Sequence, residues 1–220
     1  MKLKVVQYSG VVLLLFCILN LNAQDPKRFK SQIEELVQKE HQFEPGKKLA
    51  LFTGSSSVRM WKDVAEYFPE YNVINNGFGG SHFSDLIYYY EELIPKYKPD
   101  YLFIYEGDND IAGDKKPGKI LKEAKLLVDR IQQDLPETKV VLISPKPSVA
   151  RWHLRKNYQK LNKKLERLAH KTDNLEYADV WNAMLDENGQ VFTDVFLDDN
   201  LHMNKKGYAI WGKVIGEFFE

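Results

Sequence analysis

Short apolar runs that end in small or acidic residues alternate along this chain with segments whose apolar positions recur every three or four residues. Phe29, Ile33, Leu36 and Val37 lie at helical spacing between Asp25 and Phe43, and Pro26 suits a first turn, so the pattern predicts an amphipathic helix that Glu44-Pro45-Gly46 breaks. Five strands are predicted, at Lys48–Thr53, Tyr71–Asn75, Tyr101–Tyr105, Lys139–Ser144 and, more weakly, Leu175–Val180. The segments between and after them read as helices near Val58–Phe68, Ser84–Tyr97, Pro117–Leu135, Trp152–Lys171 and Asn204–Phe219.

Strands alternating with crossover-length helices argue for a parallel sheet covered on both faces, a three-layer α/β domain. In such sheets ligands bind beyond the carboxyl ends of the strands. The unusual loops of this chain fall at such ends: Gly54-Ser55-Ser56-Ser57 after the first strand, Asn76-Gly77-Phe78-Gly79-Gly80-Ser81 after the second, and Glu106-Gly107-Asp108-Asn109-Asp110 after the third.

The first 23 residues do not fit this alternation. Lys2 and Lys4 precede an uncharged apolar run from Val11 to Leu19 that ends at Asn20-Leu21-Asn22-Ala23, the layout of a secretory signal peptide with cleavage after Ala23. The expected product is secreted or periplasmic, with a helical segment over 24–46, a domain over 47–220 and no stable membrane insertion. The one cysteine, Cys17, lies inside the leader, so no disulfide or thiol chemistry is expected of the mature chain. Without Lys2 and Lys4 the balance is 29 basic against 31 acidic residues, a formal charge of −2, and no long basic face points to nucleic acid.

A serine hydrolase needs a nucleophile, a base, a group that orients the base, and donors for an oxyanion. Ser55, Ser56 and Ser57 stand at the start of a helix, where they either cap it or present a hydroxyl beside unpaired N–H groups. Of five histidines, His41, His82, His153 and His170 read as surface or packing residues. His202 differs, because Asp199 precedes it by three residues in a loop before the last helix; Asp198 is the alternative orienter. Gly80 leaves its backbone N–H open to a ligand, and Asn109 offers an amide that stays neutral when desolvated. The glycine loop lacks both the ending of a P-loop and the spacing of a dinucleotide fingerprint.

Taken together, Gly54-Ser55-Ser56-Ser57, Gly77-Phe78-Gly79-Gly80, Gly107-Asp108-Asn109-Asp110 and Asp199-Asn200-Leu201-His202 resemble the four blocks of the SGNH/GDSL hydrolases, in that order. The resemblance runs from Lys48 to the end of the chain. It implies a flavodoxin-like α/β/α sandwich with five parallel strands, and hydrolysis of an acyl ester without metal or cofactor. By position it implies Ser56 as nucleophile, His202 as base and Asp199 as its orienter, with the oxyanion held by the N–H groups of Ser56 and Gly80 and the Asn109 amide. Ser55 stands where the family usually has an aspartate, a departure that bears on the support of the loop more than on the reaction.

A small acyl ester, such as the acetyl ester of a carbohydrate, is the expected substrate, with Trp61, Tyr88, Tyr89, Tyr90 and Trp152 as candidate sugar-stacking rings. The same catalytic set serves a lysophospholipase or thioesterase acting on longer chains, and a non-catalytic glycan-binding protein is the reading from a different class. The basic helix Arg151–Lys171 reads as a solvated face.

Overall fold

The computed structural model describes residues 25–219, so the signal-peptide reading of residues 1–23 lies outside the described residues. Five strands, β1 (Leu49–Gly54), β2 (Asn72–Gly77), β3 (Tyr101–Tyr105), β4 (Lys139–Ile143) and β5 (Leu175–Ala178), form one sheet in the order β2-β1-β3-β4-β5. Every pairing is parallel. This is the flavodoxin-like order, and the strand order reverses at β1 and β3, where a crevice opens beyond their carboxyl ends.

The period-2 alternation of strand side chains divides the core in two. Leu51, Ile74, Leu102, Ile104, Val140 and Leu142 face one layer, built by α1 (Lys30–Gln38), α4 (Phe83–Tyr88), α5 (Tyr90–Leu93), α7 (Pro117–Asp134) and α8 (Arg155–Ala169). Ala50, Phe52, Phe103, Tyr105, Val141 and Ile143 face the other, which includes α2 (Ser56–Arg59), α3 (Val64–Tyr67), α9 (Val180–Ala183) and α10 (Lys205–Gly216). The remaining α-helix, α6 (Asp108–Ala112), is a single turn after β3.

The helices near the crevice are shorter than the apolar spacing predicts. The helix expected over Val58–Phe68 is two one-turn helices, because Arg59 ends the first and Lys62-Asp63 lies between them. The one expected over Ser84–Tyr97 breaks at Tyr89 and again at Pro95, and the N-terminal helix stops at Gln38 rather than Phe43. That helix packs on the sheet layer through buried Phe29, Ile33 and Leu36, with Phe29 edge-on to Phe78 at 5.1 Å. Among the described residues no helix is long and apolar enough to cross a membrane.

Candidate active site

Ser56 opens α2 directly beyond the end of β1. Gly54 turns the chain there at φ +120°, and a Cβ on it would come within 2.1 Å of the Tyr105 carbonyl oxygen, so the close approach of β1 to β3 requires glycine. The Ser55 N–H donates to that same carbonyl at 3.0 Å. Ser56 is the first residue of its helical turn, and its N–H finds no acceptor among the described residues.

His202 reaches Ser56 from the far end of the sequence. A tight loop between Phe196 and Met203, which pair as an antiparallel bridge, places Asn200 at φ +56° and closes through Leu197 N–H to the His202 carbonyl at 2.8 Å. Asp199 binds this loop from within: its Oδ1 accepts the N–H groups of Leu201 and His202, each at 2.9 Å, and its Oδ2 lies 2.5 Å from His202 Nδ1. The other ring nitrogen, Nε2, lies 3.0 Å from Ser56 Oγ. Burial works against the Asp199 charge, but the imidazole and the two backbone N–H groups outweigh it and hold the carboxyl down to about 2. Asp198 makes no hydrogen bond to the ring among the described residues.

Gly80 and Asn109 complete the ring of groups around Ser56. Gly80 has φ +85°, and a Cβ there would meet no atom within 4 Å, so backbone conformation rather than crowding calls for glycine. Its N–H donates to nothing among the described residues. Asn109 lies on α6 rather than in an open loop, and its Nδ2 donates to Ser55 Oγ at 2.6 Å and to the Ser81 carbonyl at 3.0 Å. Both amide hydrogens are thus engaged, so donation to a substrate requires exchanging one of them. Ser55, at the position of the departure, supports Asn109 with its hydroxyl.

Several residues that the sequence reading passed over shape this site. Arg151, at the edge of the segment expected to be a solvated basic face, turns inward. Its guanidinium donates to Asp108 Oδ1 at 2.5 Å and to Asn109 Oδ1 at 3.1 Å, which fixes the direction of the amide. Asp108 also accepts from the hydroxyls of Tyr158 and Tyr105 and faces the buried Lys146 ammonium at 3.9 Å. Burial favours the neutral form of Asp108, yet Lys146, Arg151 and the two tyrosines hold its carboxyl below the usual range. Lys146, pushed down by burial first, donates to the Leu201 carbonyl at 2.6 Å. Glu106, raised well above the usual range by burial and then by Asp110, accepts from the Ser81 hydroxyl at 2.5 Å.

The cleft over Ser56 has a volume of about 420 Å³ and is lined by Gln32, Arg59, Gly79, Gly80, Asn109, Arg151, Leu201 and His202. Among the described residues that line it, Leu201 is the one aliphatic side chain. Gln32 comes from α1, where its Oε1 accepts the Gly79 N–H at 3.0 Å. The five candidate stacking rings lie elsewhere: Trp61, Tyr89 and Tyr90 are core, Trp152 stacks on Trp181, and Tyr88 borders a separate apolar groove beside α1. Packing takes up Trp61, Tyr89 and Tyr90, whereas Tyr88 is exposed but lies away from Ser56. Among the described residues no group of three or more His, Cys, Asp or Glu could hold a metal ion.

A family model for GDSL-like lipases and acylhydrolases matches residues 49–210. A GDSL-like lipase from Bacteroides thetaiotaomicron superposes with a TM-score of 0.67 at 18% identity, over 88% of this chain and 96% of that one. A catalytic variant of an acetylxylan esterase from Geobacillus stearothermophilus gives 0.68 at 18%, over 79% and 95%. No curated protein sequence matches the chain. At such identities the structural likeness speaks for the fold, whereas the family match spans most of the sequence and includes Ser56, Gly80, Asn109, Asp199 and His202. The chain belongs to the GDSL-like lipase/acylhydrolase family and is a hydrolase of ester bonds.

Proposed function

We propose that this protein is a serine esterase that removes a small acyl group, acetyl first among them, from a polar alcohol such as a carbohydrate. The observation that carries the reading is the line from Asp199 Oδ2 through His202 to Ser56 Oγ, at 2.5 and 3.0 Å. In this mechanism Nε2 takes the Ser56 proton as Oγ attacks the ester carbonyl, and Asp199 holds the proton on Nδ1 and steadies the imidazolium that forms. The N–H groups of Ser56 and Gly80 meet the oxyanion, joined by the Asn109 amide as it exchanges its bond to the Ser55 hydroxyl. His202 then protonates the leaving alcohol, and water activated by the same imidazole releases the acid and restores Ser56.

The small-acyl part of the reading rests on the lining of the cleft. A long acyl chain needs an apolar channel at the nucleophile, and among the described lining residues Leu201 alone is aliphatic. The groove beside α1, lined by Ile33, Val37, Tyr88 and Tyr89 together with charged residues such as Lys30 and Glu34, does not include Ser56. The carbohydrate part draws on the acetylxylan esterase with the same fold.

Hydrolysis of p-nitrophenyl esters from acetyl to long acyl, by the chain from Gln24 onward and by its Ser56→Ala variant, tests the proposal. Acetyl ester turnover that is lost in the variant is the expected result. A preference for long chains would overturn the small-acyl reading, and turnover retained by Ser56→Ala would overturn the nucleophile.

A further inference from the structure

We propose that Arg59 is an anion-binding side chain for the substrate, so that the site prefers esters carrying a carboxylate close to the acyl group; the inference rests on the esterase reading above. Arg59 lies three residues after Ser56 on the same helical turn and lines the cleft over it. It also lines a second hollow of about 320 Å³ between α1 and the end of β2, so the two volumes meet at its side chain.

The glycine loop is shaped around this residue. A Cβ on Gly77 would come within 2.3 Å of the Arg59 backbone nitrogen, and a Cβ on Gly79 would come within 2.7 Å of Nε and 3.2 Å of Cζ. The first glycine lets α2 pack on the end of β2, and the second leaves room for the guanidinium to lie against the loop. Gln32 holds the Gly79 N–H and also lines both volumes. An exposed arginine ordinarily keeps its head in open water. Arg59 is exposed, yet its guanidinium lies against Gly79 at the edge of the cleft over the nucleophile.

Among the described residues the guanidinium has no acidic partner. Arg59 forms no ion pair, and its side chain donates no hydrogen bond, among the described residues. Arg151, the other arginine of the cleft, is already neutralised by Asp108 and holds Asn109. The adjoining hollow adds Lys39 and Lys62 against the single carboxylate Glu35, so the local balance is positive. A planar, permanently charged fork with open donors, lying against the glycine loop at the edge of the cleft, suits a carboxylate in two-point contact.

The test compares 4-acetoxybenzoate with 4-acetoxybenzamide, which share the acetyl ester and differ in the carboxylate charge, on wild type, Arg59→Gln and Arg59→Lys. Wild type is expected to favour the anionic ester, and Arg59→Gln to reduce the ratio of the two kcat/KM values by about 10- to 100-fold, the size of one charge-assisted contact. The loss should appear in KM, shrink in high salt, and be partly restored in Arg59→Lys. Equal effects of Arg59→Gln on both esters, or a wild type without charge preference, would overturn the role of Arg59 and leave the esterase standing. No turnover of either ester, together with no labelling of Ser56 by a fluorophosphonate, would overturn the esterase reading and this inference with it.

Discussion

The Lys146 ammonium donates to the carbonyl oxygen of Leu201 at 2.6 Å, one residue before His202. Lys146 is 1% exposed, stands between Pro145 and Pro147 just after β4, and has Asp108 as its acidic neighbour at 3.9 Å. Since Asp108 also binds Arg151, and Arg151 binds Asn109, one buried chain of charges joins the loop of His202 to the amide on the other side of Ser56. Lys146→Met should therefore let the His202 loop drift. A displacement of about 1 Å at a reacting group lowers turnover by roughly 100-fold, so kcat should fall by that order with KM nearly kept. Steady-state kinetics beside a melting curve checks this, and an unchanged kcat in a folded variant would remove Lys146 from the positioning of His202.

Asp199→Asn keeps the size of the side chain and removes the charge that faces Nδ1. The amide can present its NH2 group to the ring and select the wrong tautomer, so kcat should drop by roughly three to four orders of magnitude. The partner change Asp198→Asn should stay near wild type, because Asp198 does not touch the ring. The reverse ranking of the two variants in an acetyl ester assay would reassign the orienter.

Asn109→Ala removes an amide whose hydrogens both lie on protein atoms before substrate binds. If the amide turns one of them to the oxyanion, kcat falls by about 100- to 1000-fold. Ser55→Ala should not copy that loss, since it removes an acceptor and leaves the amide on Ser81 and Arg151. Pre-steady-state acylation rates for the two variants separate these outcomes.

Gly80→Ala isolates backbone strain from crowding, because the added methyl meets nothing within 4 Å while φ stays at +85°. A residue with a Cβ in that region is disfavoured by about 1–2 kcal/mol, which urea unfolding should read as a stability loss of that size. Relaxation of the loop would also move an N–H proposed to face the oxyanion, so activity should fall along with stability.

His82 is buried beside Asp110, and its ring is pushed down to about 4 by burial first and by Lys115 and Arg28 next. The unfolded chain then binds the proton more readily than the fold between about pH 6.5 and 4, so stability rises with pH in that window and falls as pH drops. The slope reaches at most about 1.4 kcal/mol per pH unit. His82→Gln should flatten it, read as a smaller gap between urea midpoints at pH 7 and pH 4.5. A gap of the same size in the variant would assign the acid sensitivity to other groups.

The strands were readable because each is a short apolar run closed by turn residues, and Tyr101–Tyr105 matches to the residue. Helix ends were less so: apolar spacing runs through Val58–Phe68, but the chain leaves the helix after Arg59 and re-enters it only at Val64, a local break the periodicity does not carry. The groups around Ser56 could be named from motif spacing, since Gly80, Asp199 and His202 sit in loops and Asn109 on a single helical turn after β3, all beyond strand ends. Arg151, Lys146 and Gln32 could not. A lone arginine on a basic segment, a lysine between prolines and a glutamine on an amphipathic helix carry no distinctive spacing, and only the tertiary fold turns them toward the site. Aromatic residues misled in the opposite way, because Trp61 and Tyr90 lie near the loops in sequence and in the core in space.

Gln32 belongs to α1, which precedes the family-matched residues 49–210, yet it forms one wall of the cleft and takes the Gly79 N–H. The chemistry and one of its boundaries are therefore encoded in separable stretches of the polypeptide. An exchange of residues 25–46 between relatives could redraw what enters the cleft and leave Ser56, Asp199 and His202 untouched, so selectivity and reactivity in this lineage are free to diverge at different rates.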